Sequence, residues 1–138
     1  MTAPDFLDTN ILVYAYDASQ PRKQQVAREL VLRGIAGEAI ISAQVLAELA
    51  ATLLHKLIPA ASTKAVTAVL DALSPIKAIP GDSEMVRRAV EATGTYGIHF
   101  YDGMIVAAAE RGGSVRIWSE DLNAGQKYFG IGVENPFA

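Results

Sequence analysis

Cysteine is absent from the chain, which excludes disulfide bonds and thiolate metal ligands and suits a reducing cytoplasm. Positive charge is also scarce: 12 lysines and arginines face 15 acids, for a net charge of −3 and a pI near 5.3. A protein that lives on phosphate contacts is usually basic, so this balance argues against a high-affinity nucleic-acid binder. The objection is weak, because acids gathered in one site lower the net charge without touching a basic rim. No apolar run approaches the length that crosses a bilayer, and the N-terminus carries no signal-peptide pattern. A cytoplasmic protein without membrane association is expected. Repeats and low-complexity tracts are missing, as are the Gly-x-Ser-x-Gly elbow, the P-loop and the dinucleotide glycine fingerprint. Gly112-Gly113 is too short a signal for phosphate cradling. Histidine occurs only twice. His55 falls late in a helix, on its surface; His99 lies in a loop three residues before Asp102, either as polar surface or as a base candidate.

What is there is a chain of 138 residues, 51% hydrophobic, enough for one domain with a real core over 1–138. Its organising stretch is Pro4 to Tyr16, PDFLDTNILVYAY. The apolar pair Phe6-Leu7 ends on Asp8, Thr9 and Asn10 follow, and a second apolar run starts at Ile11. This pattern predicts a strand that delivers a carboxylate to its C-terminal tip, where a helix begins. Ligands bind at that edge in open α/β sheets. Asp8 is then either a cap or turn former or a metal ligand.

The pattern repeats. Gln20-Pro21 opens a helix that runs to Gly34 or Gly37. Glu38–Ser42 is a short strand, followed by a helix over Ala43–Leu57 with a stripe at Leu46, Leu49, Ala50, Leu53 and Leu57. Pro59 breaks it, and Ser62–Leu73 makes another helix. Ile76–Ile79 is a third strand, and Pro80–Ser83 a turn that caps a helix from Glu84 to about Thr95, closed by Gly94 and Gly97. Tyr101–Arg111 is an alanine-rich helix stopped by Gly112-Gly113; Val115–Trp118 is a fourth strand and Ile131–Val133 a short fifth. Strands alternating with helices imply parallel pairing and right-handed crossovers. The expected fold is a three-layer α/β/α domain with a central, mostly parallel sheet of four to five strands and a helical pair inserted between the second and third. An all-α arrangement is the competitor.

Four acids fall at equivalent points of that architecture. Asp8 ends the first strand, Glu48 lies in the first turns of the helix after the second, Asp102 opens the alanine-rich helix, and Asp121 sits past the fourth strand. Parallel strands bring all these points to one edge, where pooled acids repel and rise in pKa unless a cation neutralises them. Hard divalent cations take such oxygen ligands. Glu48 lies about 200° around its helix from Leu46, so a solvated face is the plain alternative. Asp102 shares a face with Ile105 and Val106, an unusual place for an acid. Asp121 competes with a turn-forming role and with its neighbour Glu120; strand alternation from Trp118 allows only one of the two inward, and Asp121 is chosen. Thr9, Asn10 and Ser119 stand at strand ends, where they can orient carboxylates or waters. Ser42 is at least as well explained as a helix cap, and Gln44 reaches either this edge or solvent. The aromatics Tyr14, Tyr16, Tyr96, Phe100, Tyr101 and Trp118 read as core or dimer surface rather than as a base-stacking platform.

The segments FLDTNILVYAYD (Phe6–Asp17), ISAQVLAEL (Ile41–Leu49), YDGMIVAAA (Tyr101–Ala109), WSEDLNAGQ (Trp118–Gln126) and VENPF (Val133–Phe137) together resemble PIN-domain ribonucleases, in particular VapC-type toxins of toxin–antitoxin pairs. The resemblance covers almost the whole chain in the family's order. It implies an acidic quartet at Asp8, Glu48, Asp102 and Asp121 supported by Thr9, Asn10 and Ser119. It also implies a Mg²⁺- or Mn²⁺-dependent endoribonuclease, a homodimer, and inhibition by a small VapB-type antitoxin. Ser119 stands where the family often has Thr, and Gly103 where Ala is common, which weakens the helix start slightly. Arg22, Lys23, Arg87, Arg88, Arg111 and Lys127 are candidates to line the approach of RNA. A non-catalytic PIN-like module that binds RNA or a partner is the alternative. A receiver-like phosphoacceptor would need an acceptor Asp ending the mid-chain strand, where Pro80 stands instead.

Overall fold

The computed structural model describes residues 2–138. In chain order its elements are β1 (Asp5–Leu7), α1 (Thr9–Ala15), α2 (Pro21–Ile35), β2 (Ala39–Ser42), α3 (Ala43–His55), α4 (Thr63–Leu73) and β3 (Ala78–Ile79). These are followed by α5 (Ser83–Tyr96), α6 (Phe100–Arg111), β4 (Arg116–Trp118), β5 (Lys127–Tyr128) and β6 (Ile131–Glu134). The sheet order is β3-β2-β1-β4-β6-β5, parallel throughout except for the β5–β6 hairpin. The mixed α/β architecture with its α3–α4 pair is as expected, but among the described residues the sheet has six strands rather than four or five. The unforeseen strand is β5, whose two residues are too few to show alternation.

Local chemistry sets most boundaries. Ser42, Ser62 and Asp82 each accept a backbone N–H three residues on, capping α3, α4 and α5. The helix α5 runs on through Gly94, since one exposed glycine costs only about 1 kcal/mol. It stops at Gly97, whose φ of +67° suits a residue without a Cβ. Gly103 has a different purpose from the weakened helix start that its departure from the family's alanine implied. A Cβ there would lie 2.6 Å from the Ala89 carbonyl oxygen, so glycine is what lets α6 cross against the backbone of α5.

Strand β1 lies at the centre of the sheet and is buried along its length. Phe6 pairs with Ile40 on one side and Ile117 on the other, and Leu7 with Trp118. The chain adds β2 and β3 on one side of β1, then crosses to place β4 on the other. The switch point is therefore between β1 and β4. Their C-terminal tips carry Asp8 and Ser119, and a crevice opens there by topology alone.

Candidate active site

Asp8 follows β1 directly and is 5% exposed. One carboxylate oxygen accepts the Thr9 N–H at 2.7 Å, and the other accepts the Ser119 hydroxyl at 2.7 Å. Burial pushes the Asp8 carboxyl up to about 6 despite those two hydrogen bonds, and the charges of Asp121 and Asp102 push the same way. Ser119 is itself fully buried. Its oxygen accepts the N–H groups of Asp121 and Leu122 at 3.1 and 3.2 Å, which folds the loop after β4 back over the tip of β1.

Asp102 sits in the first turn of α6, half-buried. Burial and then the Asp121 charge raise its carboxyl, against a smaller opposing pull from His99. Asp121 is exposed and accepts the Asn10 side-chain amide at 3.2 Å. The structure thus brings Asp8, Asp102 and Asp121 within range of each other's charge. Glu48 is exposed on α3 and lines one cleft of about 390 Å³ with Thr9, Asn10 and Asp121. Gln44 tethers it at 2.6 Å and also donates to the Tyr101 carbonyl at 3.1 Å, so α3 is tied to the start of α6 beside Asp102.

Glu120 lines the same cleft, contrary to the expectation that only one of the two neighbouring acids would face inward, but it is paired there. It accepts the Tyr14 hydroxyl at 2.6 Å and pairs with Lys23 at 2.7 Å, while its backbone N–H donates to Asn10 at 3.1 Å. Lys23 also lies over the Tyr14 and Phe137 rings. The bend at 119–122 is not a strand, so partners rather than alternation separate the two acids. Nothing in the sequence spacing signalled Tyr14 and Lys23 as those partners.

Asp5, at the other end of β1, was also missed. It is buried and accepts from Arg33, Arg116 and the Trp118 indole at 2.8 to 3.2 Å. Burial pushes its carboxyl up, but the hydrogen bonds from Arg116 and Trp118 and the charges of both arginines hold it below its usual value. An acid on a buried strand was the available signal; its partners lie 28 to 113 residues away. A larger groove of about 500 Å³ borders this network, but its one acid, Glu134, pairs with Arg116. It does not gather carboxylates. The bases expected along the approach are mostly engaged too: Lys23, Arg87, Arg88 and Arg111 all form ion pairs with the protein's own acids.

A divalent cation suits this donor set. Among the described residues, no three His, Asp or Glu side chains converge tightly enough to enclose an ion. Mg²⁺, however, commonly takes one or two carboxylates and fills its remaining positions with water and phosphate. Among the described residues no lysine or arginine forms an ion pair with Asp8 or Asp102, and the buried Thr9 hydroxyl next to Asp8 has no hydrogen-bond partner among them.

The fold and the site define an α/β domain that pools acids at the C-terminal edge of a parallel sheet. The chain belongs to the PIN domain family, which matches residues 6–129. Its structure is similar to a chain in the crystal structure of VapBC2 from Rickettsia felis bound to a DNA fragment from their promoter. The TM-score is 0.62 at 20% identity, over 95% of this chain and 97% of that one. Comparison with curated proteins gives no sequence match.

Proposed function

We propose that this protein is a metal-dependent endoribonuclease, the toxin of a type II toxin–antitoxin pair. The observation that carries the proposal is the Asp8 carboxylate at the β1–β4 switch point, 5% exposed and fixed by the Ser119 hydroxyl and the Thr9 N–H, where burial first and then the nearby charges of Asp121 and Asp102 push it up. Family membership and the fold likeness to a VapBC complex support it.

In this proposal Asp8 and Asp102 hold Mg²⁺ or Mn²⁺, with Glu48 and Asp121 joining directly or through water. The ion supplies Lewis acidity and charge neutralisation for phosphodiester hydrolysis. The protein's own part is positional. Ser119 and the Thr9 N–H fix the Asp8 oxygens, Asn10 and Ser119 hold the loop that bears Asp121, and Gln44 holds Glu48. A homodimer held in check by a VapB-type antitoxin completes the proposal.

The test is cleavage of total cellular RNA by purified, partner-free protein with Mg²⁺, Mn²⁺ or EDTA. Discrete fragments are expected, lost in EDTA and in both Asp8→Asn and Asp102→Asn. Folded, metal-loaded protein that cuts no cellular RNA would instead favour a non-catalytic binding module.

A further inference from the structure

Four acids line the cleft of about 390 Å³: Asp17, Glu48, Glu120 and Asp121. Glu120 is the one of them that forms an ion pair among the described residues. Its Oε2 meets the Lys23 Nζ at 2.7 Å, and its Oε1 accepts the Tyr14 hydroxyl at 2.6 Å. Each oxygen of this carboxylate therefore has a donor from the protein itself.

Lys23 is held from several sides. Its Nζ also donates to the Tyr14 hydroxyl at 3.2 Å, and it lies over the Tyr14 and Phe137 rings, 4.7 and 5.6 Å from their centroids. Those rings meet edge-on at 4.9 Å, so the C-terminal segment helps to close a cage that favours a cation. The position is otherwise a poor one for positive charge. Lys23 stands in the first turn of α2, the end at which the helix dipole favours anions.

The loop that carries Glu120 is shaped without Lys23. Ser119 takes the N–H groups of Asp121 and Leu122, and Asn10 bonds both the Glu120 N–H and the Asp121 carboxylate. What Lys23 adds is a charge opposite one carboxylate and a fixed direction for it. We propose that Lys23 is a positioning residue that withholds Glu120 from the cation of the cleft, so that this loop offers Asp121 alone. This rests on the metal-dependent reading of the same site. The number of charged ligands sets divalent-ion affinity, so freeing a further carboxylate tightens binding. Loss of a merely structural contact would loosen it.

The experiment is isothermal titration of the full chain with Mg²⁺ and with Mn²⁺, in the absence of RNA. Lys23→Met is expected to tighten binding on the order of tenfold, and Lys23→Arg to leave it at the native value. Adding Glu120→Gln to Lys23→Met is expected to abolish the gain. Arg22→Gln removes a charge from the same turn without freeing a carboxylate, because Arg22 forms no ion pair among the described residues; it is expected to change nothing. If Lys23→Met lacks a cooperative urea transition, Lys23→Gln, which keeps a donor without the charge, takes its place. Unchanged or weaker binding in the neutral variants overturns the proposal. So does a gain that survives Glu120→Gln or that Arg22→Gln reproduces. If native protein binds the ion but cuts no RNA, the nuclease reading fails and this proposal stands. If neither native protein nor Lys23→Met binds a divalent ion, the proposal falls together with the metal.

Discussion

The Ser119 hydroxyl lies 2.7 Å from an Asp8 carboxylate oxygen, although the two residues are 111 positions apart. It donates to Asp8 while its oxygen takes the N–H groups of Asp121 and Leu122, so one buried oxygen sets both the deepest acid and the loop that presents another. Ser119→Ala removes these three bonds and the longer one from the Asn10 side-chain amide at 3.5 Å. Groups that orient metal ligands commonly contribute ten- to a hundredfold, and a drop in cleavage of that order is expected. Its mark is a weakened Mg²⁺ affinity in isothermal titration, with Ser119→Thr restoring much of it.

Asp8 makes stability of the metal-free protein depend on pH. Its carboxyl is raised to about 6 in the folded state from 3.8, so the folded protein holds that proton more tightly. The associated stability is present below about pH 4 and is lost as pH rises through 6, on the order of 3 kcal/mol in all. Asp8→Asn is therefore expected to melt several degrees higher than the parent at pH 7.5 in EDTA, and at about the same temperature at pH 4. A variant that melts lower at pH 7.5 would show that the carboxylate is not under strain.

Asp5 has the opposite sign. Its carboxyl is held below the usual value, so what it contributes is present above about pH 4 and fades as pH falls. Asp5→Ala leaves Arg33, Arg116 and the Trp118 indole without their shared acceptor. Both arginines are more than a third exposed and regain water, which moderates the loss to about 2 kcal/mol. Urea denaturation at pH 7 measures it, and cleavage by the folded fraction is expected to be unchanged.

Gly103→Ala sets two rules against each other. Helix propensity favours alanine by about 1 kcal/mol. The added Cβ would stand 2.6 Å from the Ala89 carbonyl oxygen, and backbone on both sides leaves no side chain to swing away. Overpacking of this kind costs about 1–3 kcal/mol, so net destabilisation is expected in urea. A variant as stable as the parent would mean that α5 and α6 separate freely.

Much of this protein was legible in its order of residues. Apolar runs that end on Leu7, Ile41 and Trp118, each followed by a polar residue (Asp8, Ser42, Ser119) and then helix or turn, dictate strand tips on one edge of a parallel sheet. The caps Ser42 and Asp82 and the stop at Gly97 are local hydrogen-bond and φ requirements, and local requirements can be read from neighbours in sequence. The acids were nominated by the same logic, because their positions relative to strand ends are short-range facts.

Tertiary structure decided whatever depends on partners distant in sequence. It paired Glu120 with Tyr14 and Lys23 at the wall of the cleft, and turned most of the chain's arginines onto its own acids. It also made Gly103 a crossing point and left Tyr101 in solvent. In each case the deciding quantity is a distance between groups that only the folded chain brings together, and side-chain charge or size alone cannot supply it.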